Sequence, residues 1–122
     1  MTKLNLKPGD LLYGDTQALA YEEPNTFRVG SILTKEFLGK GNIFLDRLYD
    51  HSLTFEEIMD ISGINGETLK ITLNCLESLN SVYSEGGRYV MTFGGTIALG
   101  DYAEECKRQD VSLPEKPWWD LR

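Results

Sequence analysis

Positive charge is what this chain has least of for its size. Twelve Lys and Arg stand against nineteen Asp and Glu, with a single histidine, leaving a net charge of -7. Binding to nucleic acid depends heavily on Lys and Arg neutralising phosphates, so a broadly basic phosphate-gripping surface is excluded, although a local stripe is not. Counted by segment, residues 35–94 carry nine acids against five bases and are the most acidic part. Cysteine is also scarce. Cys75 and Cys106 stand far apart and match no metal-ligand spacing, which excludes a zinc module and a disulfide framework. No apolar run is long enough to cross a bilayer. The first residues lack the apolar segment of a secretory signal, and a soluble cytoplasmic location with reduced thiols is expected. Catalytic patterns are missing too: there is no phosphate-cradling glycine loop and no nucleophile paired with a histidine motif. No enzymatic activity and no cofactor are expected.

What is present is a globular composition, with 41% hydrophobic and 25% charged residues in 122 positions, the size of one domain. The N-terminal third reads as turns and short strands. Lys7-Pro8-Gly9-Asp10 is a turn signal, and strands are predicted at residues 11–13, 17–21 and 26–29, with an extended arm as the alternative. Asp10, Asp15, Glu22 and Glu23 match no calcium-loop spacing, and turn chemistry accounts for the two aspartates. From Thr34 the period changes. Phe37, Phe44, Leu45, Leu48 and Tyr49 share a helical face, and the firm helix is residues 42–50. His51 follows at the helix end, where a surface or C-terminal capping role accounts for it.

The middle of the chain carries sharper signals. Thr54 and Glu57 form a capping box that opens a short helix, with Phe55, Ile58 and Met59 facing inward and Ser62-Gly63 stopping it. Asn65 caps another helix, whose buried stripe is Leu69, Leu73, Leu76 and Leu79. Residues 82–92 read as a hairpin turning at Gly86-Gly87, where both residues tolerate positive φ. A last helix is predicted over residues 96–107, burying Ile97, Leu99, Ala103 and Cys106. A non-helical tail follows with Pro114, Pro117, Trp118 and Trp119.

This order of helix, short helix, tight turn, helix and hairpin resembles the winged helix-turn-helix superfamily. Ile58-Met59, Ser62-Gly63-Ile64-Asn65 and Thr68-Leu69 look like its turn pattern, in which glycine permits the bend and Ile64 plugs the core beneath it. The resemblance covers residues 42–94, extends to 107, and names no family within the superfamily. It implies an α+β fold: a winged-helix core at 35–94, a short N-terminal β or extended segment at 1–34, and a C-terminal helix with a Trp-containing tail at 95–122. All of it belongs to one domain.

The resemblance also implies a DNA-reading helix in the major groove and a wing beside it. By position, the groove-facing residues are Gly66, Glu67, Lys70, Ile71, Asn74 and Cys75, with Arg88 near the wing tip. Asn74 suits adenine, Lys70 suits guanine or phosphate, and Arg88 suits a minor groove. Lys70 is nevertheless the only basic residue of that helix, and Ile71 on an exposed face suits a protein contact better. Trp118 and Trp119 likewise mark a docking contact, either on the chain's own core or on a partner. Three functions therefore stand open. One is a transcription regulator that binds DNA, dimeric through the last helix and the Trp tail. The second is an acidic protein-interaction domain, an assembly subunit or an inhibitor of a nucleic-acid-handling enzyme. The third is a peptide-binding module with a sheet edge in residues 10–29.

Overall fold

The computed structural model describes residue 18, residues 20–39 and residues 51–115. The expected strand at 11–13, the expected helix at 42–50, and Trp118 and Trp119 lie outside the described residues. Those described form an α+β arrangement of four α-helices and a small three-stranded antiparallel sheet.

Within the strands expected at 17–21 and 26–29, the described residues 18, 20, 21 and 26–29 are helical. A 3-10 turn, Ala20–Glu22, leads into α1, Pro24–Gly39. Pro24 suits a first helical position, since its missing N–H would have no partner there. The Glu23 carbonyl accepts from Phe27 N at 2.9 Å, closing the first turn. Thr26, Phe27, Val29, Ile32 and Thr34 read as strand residues because they are β-branched or aromatic. All of them are buried, and the helix they form touches every other helix and strand β3 (Arg88–Met91). The run 26–34 is buried except for half-buried Arg28, which leaves only a narrow polar edge, so the 3.6-residue period is hard to see in the sequence. α1 also crosses residue 34, where the arm was expected to end.

After residue 51 most of the sequence signals hold. A two-residue strand β1, Leu53–Thr54, precedes α2, Phe55–Ser62. Thr54 Oγ1 accepts from Glu57 N at 3.1 Å, and Thr54 N donates to Glu57 Oε1 at 2.8 Å. Such a box is worth about 1 kcal/mol. Gly63 ends α2 at φ +72°, and buried Ile64 fills the space under the turn. Helix α3, Gly66–Ser78, begins on Asn65, whose Oδ1 accepts from Thr68 N at 2.9 Å. Leu69, Leu73 and Leu76 are buried as expected, each contributing roughly 1.5–3 kcal/mol. Leu79, expected on the same stripe, is only half-buried, because it is the C-cap and the helix has already turned off. Asn80 takes φ +60° there, and Ser81 N closes the end on Leu76 O at 2.9 Å.

Strands β2, Val82–Glu85, and β3 pair through Gly86 and Gly87, both at positive φ. The sheet order is β1-β3-β2, with Leu53 opposite Tyr89 and Val82 opposite Met91. Helix α4, Phe93–Arg108, starts three residues earlier than expected, because Thr92 Oγ1 accepts from Gly95 N at 2.9 Å and caps it. The glycines that look like a break therefore lie inside the first turn. Leu99 and Cys106 are buried, but Ala103 is half-buried and Ile97 is exposed. Phe27 meets Tyr102, and Phe37 meets Phe93, edge to face, so α4 runs antiparallel to α1. His51 is fully buried with its ring against Phe37 at 6.0 Å, which corrects the expectation of a surface histidine; the helix it was expected to cap lies outside the described residues.

Candidate recognition surface

Helix α3 buries one side and presents the other, and the residues singled out from the sequence fall on the presented side. Glu67, Lys70, Ile71, Asn74 and Cys75 are all exposed, with Gly66 half-buried against Met59 and Phe55. The division follows from spacing: Leu69, Thr72, Leu73 and Leu76 take the inner face, leaving their neighbours outside. Thr72 Oγ1 donates to Thr68 O at 2.9 Å, so a polar side chain at the inner edge is satisfied within the helix.

Ile71 lies in the middle of the outer face and is 67% exposed, more than any other large apolar residue among those described. The stretch of chain that holds α3 and the hairpin is acidic. Residues 54–92 hold Glu56, Glu57, Asp60, Glu67, Glu77 and Glu85 against only Lys70 and Arg88. Lys70 has no ion-pair partner among the described residues. Arg88 is placed differently from a side chain reaching beyond the hairpin tip. Its Nε donates to Ser52 Oγ at 2.8 Å, one terminal nitrogen donates to Ser52 O at 3.1 Å, and the same nitrogen stands 3.9 Å from Glu57 Oε1. The guanidinium thus fastens β3 to the segment entering β1.

Two carboxylates act on one phenol near the turn of the hairpin. Burial raises the pKa of Tyr89 above the ordinary tyrosine value, and the charges of Glu77 and Glu56 push it the same way. Glu77 also accepts from Ser84 Oγ, which ties the end of α3 to β2. On the outer side of β2, exposed Tyr83 donates to Glu85 Oε1 at 3.0 Å, and that bond to a carboxylate raises its pKa. Tyr83 was not singled out from the sequence. The alternation from buried Val82 to Tyr83 within the hairpin was the signal that could have found it. Ser52, the anchor of Arg88, carried no sequence signal at all.

The outer face of α3 thus presents Glu67, Lys70, Ile71, Asn74 and Cys75, and the hairpin presents Tyr83. Trp118 and Trp119, expected at an interface, lie outside the described residues. Of the sheet edge expected in residues 10–29, residues 18, 20–22 and 24–29 are helical, and the strand expected at 11–13 lies outside the described residues. No family model, no curated protein and no solved structure matches this chain.

Proposed function

We propose that this chain is a winged-helix domain that binds a protein partner through the outer face of α3 and its hairpin. The winged-helix assignment draws support from the element order and the β1-β3-β2 sheet, in which the strand before α2 pairs with the far strand of the hairpin. That is the layout the turn pattern around Gly63 leads one to expect. The partner assignment is carried by one observation: Ile71 stands 67% exposed in the middle of the outer face of α3, within a stretch of chain whose acids outnumber its bases. Burying that side chain in a partner is worth roughly 1.5–3 kcal/mol, which a phosphate backbone cannot supply. DNA reading by the same helix would rest on Lys70 and Asn74, because Arg88 is engaged with Ser52. Two such side chains, with Glu67 exposed on the same helix, neutralise little phosphate. The complementary partner surface is apolar at its centre and basic at its rim, as in a protein that itself handles nucleic acid.

The test compares the wild-type chain with Ile71→Arg in nuclease-treated extract of the source cells, followed by reconstitution with the purified captured protein. Binding that survives nuclease, is lost in Ile71→Arg, and weakens with salt supports the assignment. Salt-sensitive binding to mixed DNA fragments that is lost in Lys70→Ala, with Ile71→Arg still binding, would return the helix to DNA.

A further inference from the structure

Both tryptophans of the chain lie just beyond Glu115, and the position of Glu115 limits where they can go. The chain reaches that point under restraint. α4 ends with Asp110 at φ +56°, Val111 N donates to Cys106 O at 2.8 Å, and Leu113 packs against the core. Glu115 Oε2 then accepts from Arg28 at 2.7 Å, and the other terminal nitrogen of Arg28 donates to Ser62 O at 3.1 Å. One side chain of α1 thus holds Glu115 beside the last turn of α2.

We propose that the segment carrying Trp118 and Trp119 docks in cis on the outer side of that turn, around Ile61. Trp118 lies three residues past Glu115, so its Cα stays within about 10 Å of it. Ile61 adjoins Ser62, the residue Arg28 bonds, and is 59% exposed. Exposed Leu38 and Phe93, at the far end of α1, lie farther away. Phe93 packs on Phe37, nine residues up α1 from Arg28, or about 14 Å along the helix. Charge favours the same place. The last turn of α2 has no basic residue and includes Asp60, the helix C-terminus is partially negative, and Lys116 follows Glu115 directly. Docking there covers the exposed aliphatic of α2 and leaves the α3 face open, so it stands apart from the partner assignment above.

Trp118 and Trp119 are the only tryptophans, so their emission and its quenching by acrylamide in the full chain report the tail alone. The wild type should emit blue-shifted light and be quenched severalfold less than the same chain in denaturant, at every protein concentration. Ile61→Asp, which replaces an exposed side chain, should shift the emission to the red and restore most of the quenching while the far-ultraviolet dichroism stays native. Arg28→Ala should do the same, and Ile71→Asp should change nothing. Wild-type tryptophans as open as in denaturant would overturn the proposal, as would protection indifferent to Ile61→Asp. Protection that grows with concentration would also overturn it and place the pair on a second copy.

Discussion

Arg88 donates twice to Ser52, to its Oγ at 2.8 Å and to its carbonyl at 3.1 Å, across the short pairing of β1 with β3. β1 is only two residues long, so these bonds are a large part of what holds it. Charge-assisted bonds of this kind contribute about 1.5–3 kcal/mol, and partial exposure places Arg88 near the lower end. Arg88→Ala should lower the urea midpoint accordingly, and Arg88→Lys should recover little because an ammonium cannot reproduce the two-pronged geometry. A midpoint unchanged in Arg88→Ala would show the side chain to be free of structural work and available for a ligand.

Two glycines of α4 should respond to alanine with opposite signs. A Cβ at Gly95 would stand 2.3 Å from the backbone oxygen of Ser81, and backbone cannot yield as a side chain does. Gly95→Ala should therefore destabilise by about 1–3 kcal/mol, the range for overpacking. At Gly100 a Cβ meets nothing within 4 Å. Gly100→Ala should stabilise by about 0.5–1 kcal/mol through the helix interior alone. Thermal melts of the two variants side by side check both the sign and the difference.

At the C-terminal end of α4, Glu105 is buried and accepts from Arg108 Nε at 2.9 Å and from Gln109 Nε2 at 2.7 Å. The hydrogen bond from Arg108 is the main cause that lowers its pKa below the ordinary carboxylate value, partly opposed by burial. A folded-state pKa below the unfolded one stabilises the protein above the unfolded value. That stability is lost as the pH falls through the depressed folded value. Arg108→Ala should consequently be less stable than wild type at neutral pH, with the gap closing as the medium becomes acidic. A gap of constant size from neutral pH to acid would assign the effect of Arg108 to packing instead of charge.

How much of this was legible in the sequence depends on how local each cause is. The Thr54–Glu57 box, the Asn65 cap, the turn at Gly63 and the Gly86-Gly87 hairpin each depend on residues within a few positions of one another, and each was read correctly. α1 was not, because residues such as Val29 and Ile32 look like strand residues, and only the surrounding elements make them a buried helix. β1 is too short to show a period, and its existence depends on Tyr89 and Arg88, some 35 residues away. The same distance hid the role of Arg88 itself. For the recognition surface, the exposed positions of α3 followed from helical spacing, whereas Tyr83 and the engagement of Arg88 needed the folded sheet.

Ile71 and Leu73 are two residues apart on α3, and their burial differs so much that alanine should separate the costs of fold and function. Leu73 is fully buried, and Leu73→Ala should cost about 2–5 kcal/mol from lost transfer energy and the cavity left behind. Ile71→Ala removes a side chain that touches mostly water and gains helix propensity, so stability should stay within about 0.5 kcal/mol of wild type. Chemical denaturation of both variants measures this directly. A large loss in Ile71→Ala would mean that Ile71 is held by the chain's own packing, and its exposure would no longer argue for a partner. If stability is kept while partner capture is lost, the same substitution will have removed a contact that exists only in the complex. The aliphatic centre of the α3 face would then be the source of affinity, with the acidic charge of the chain setting which partners can approach.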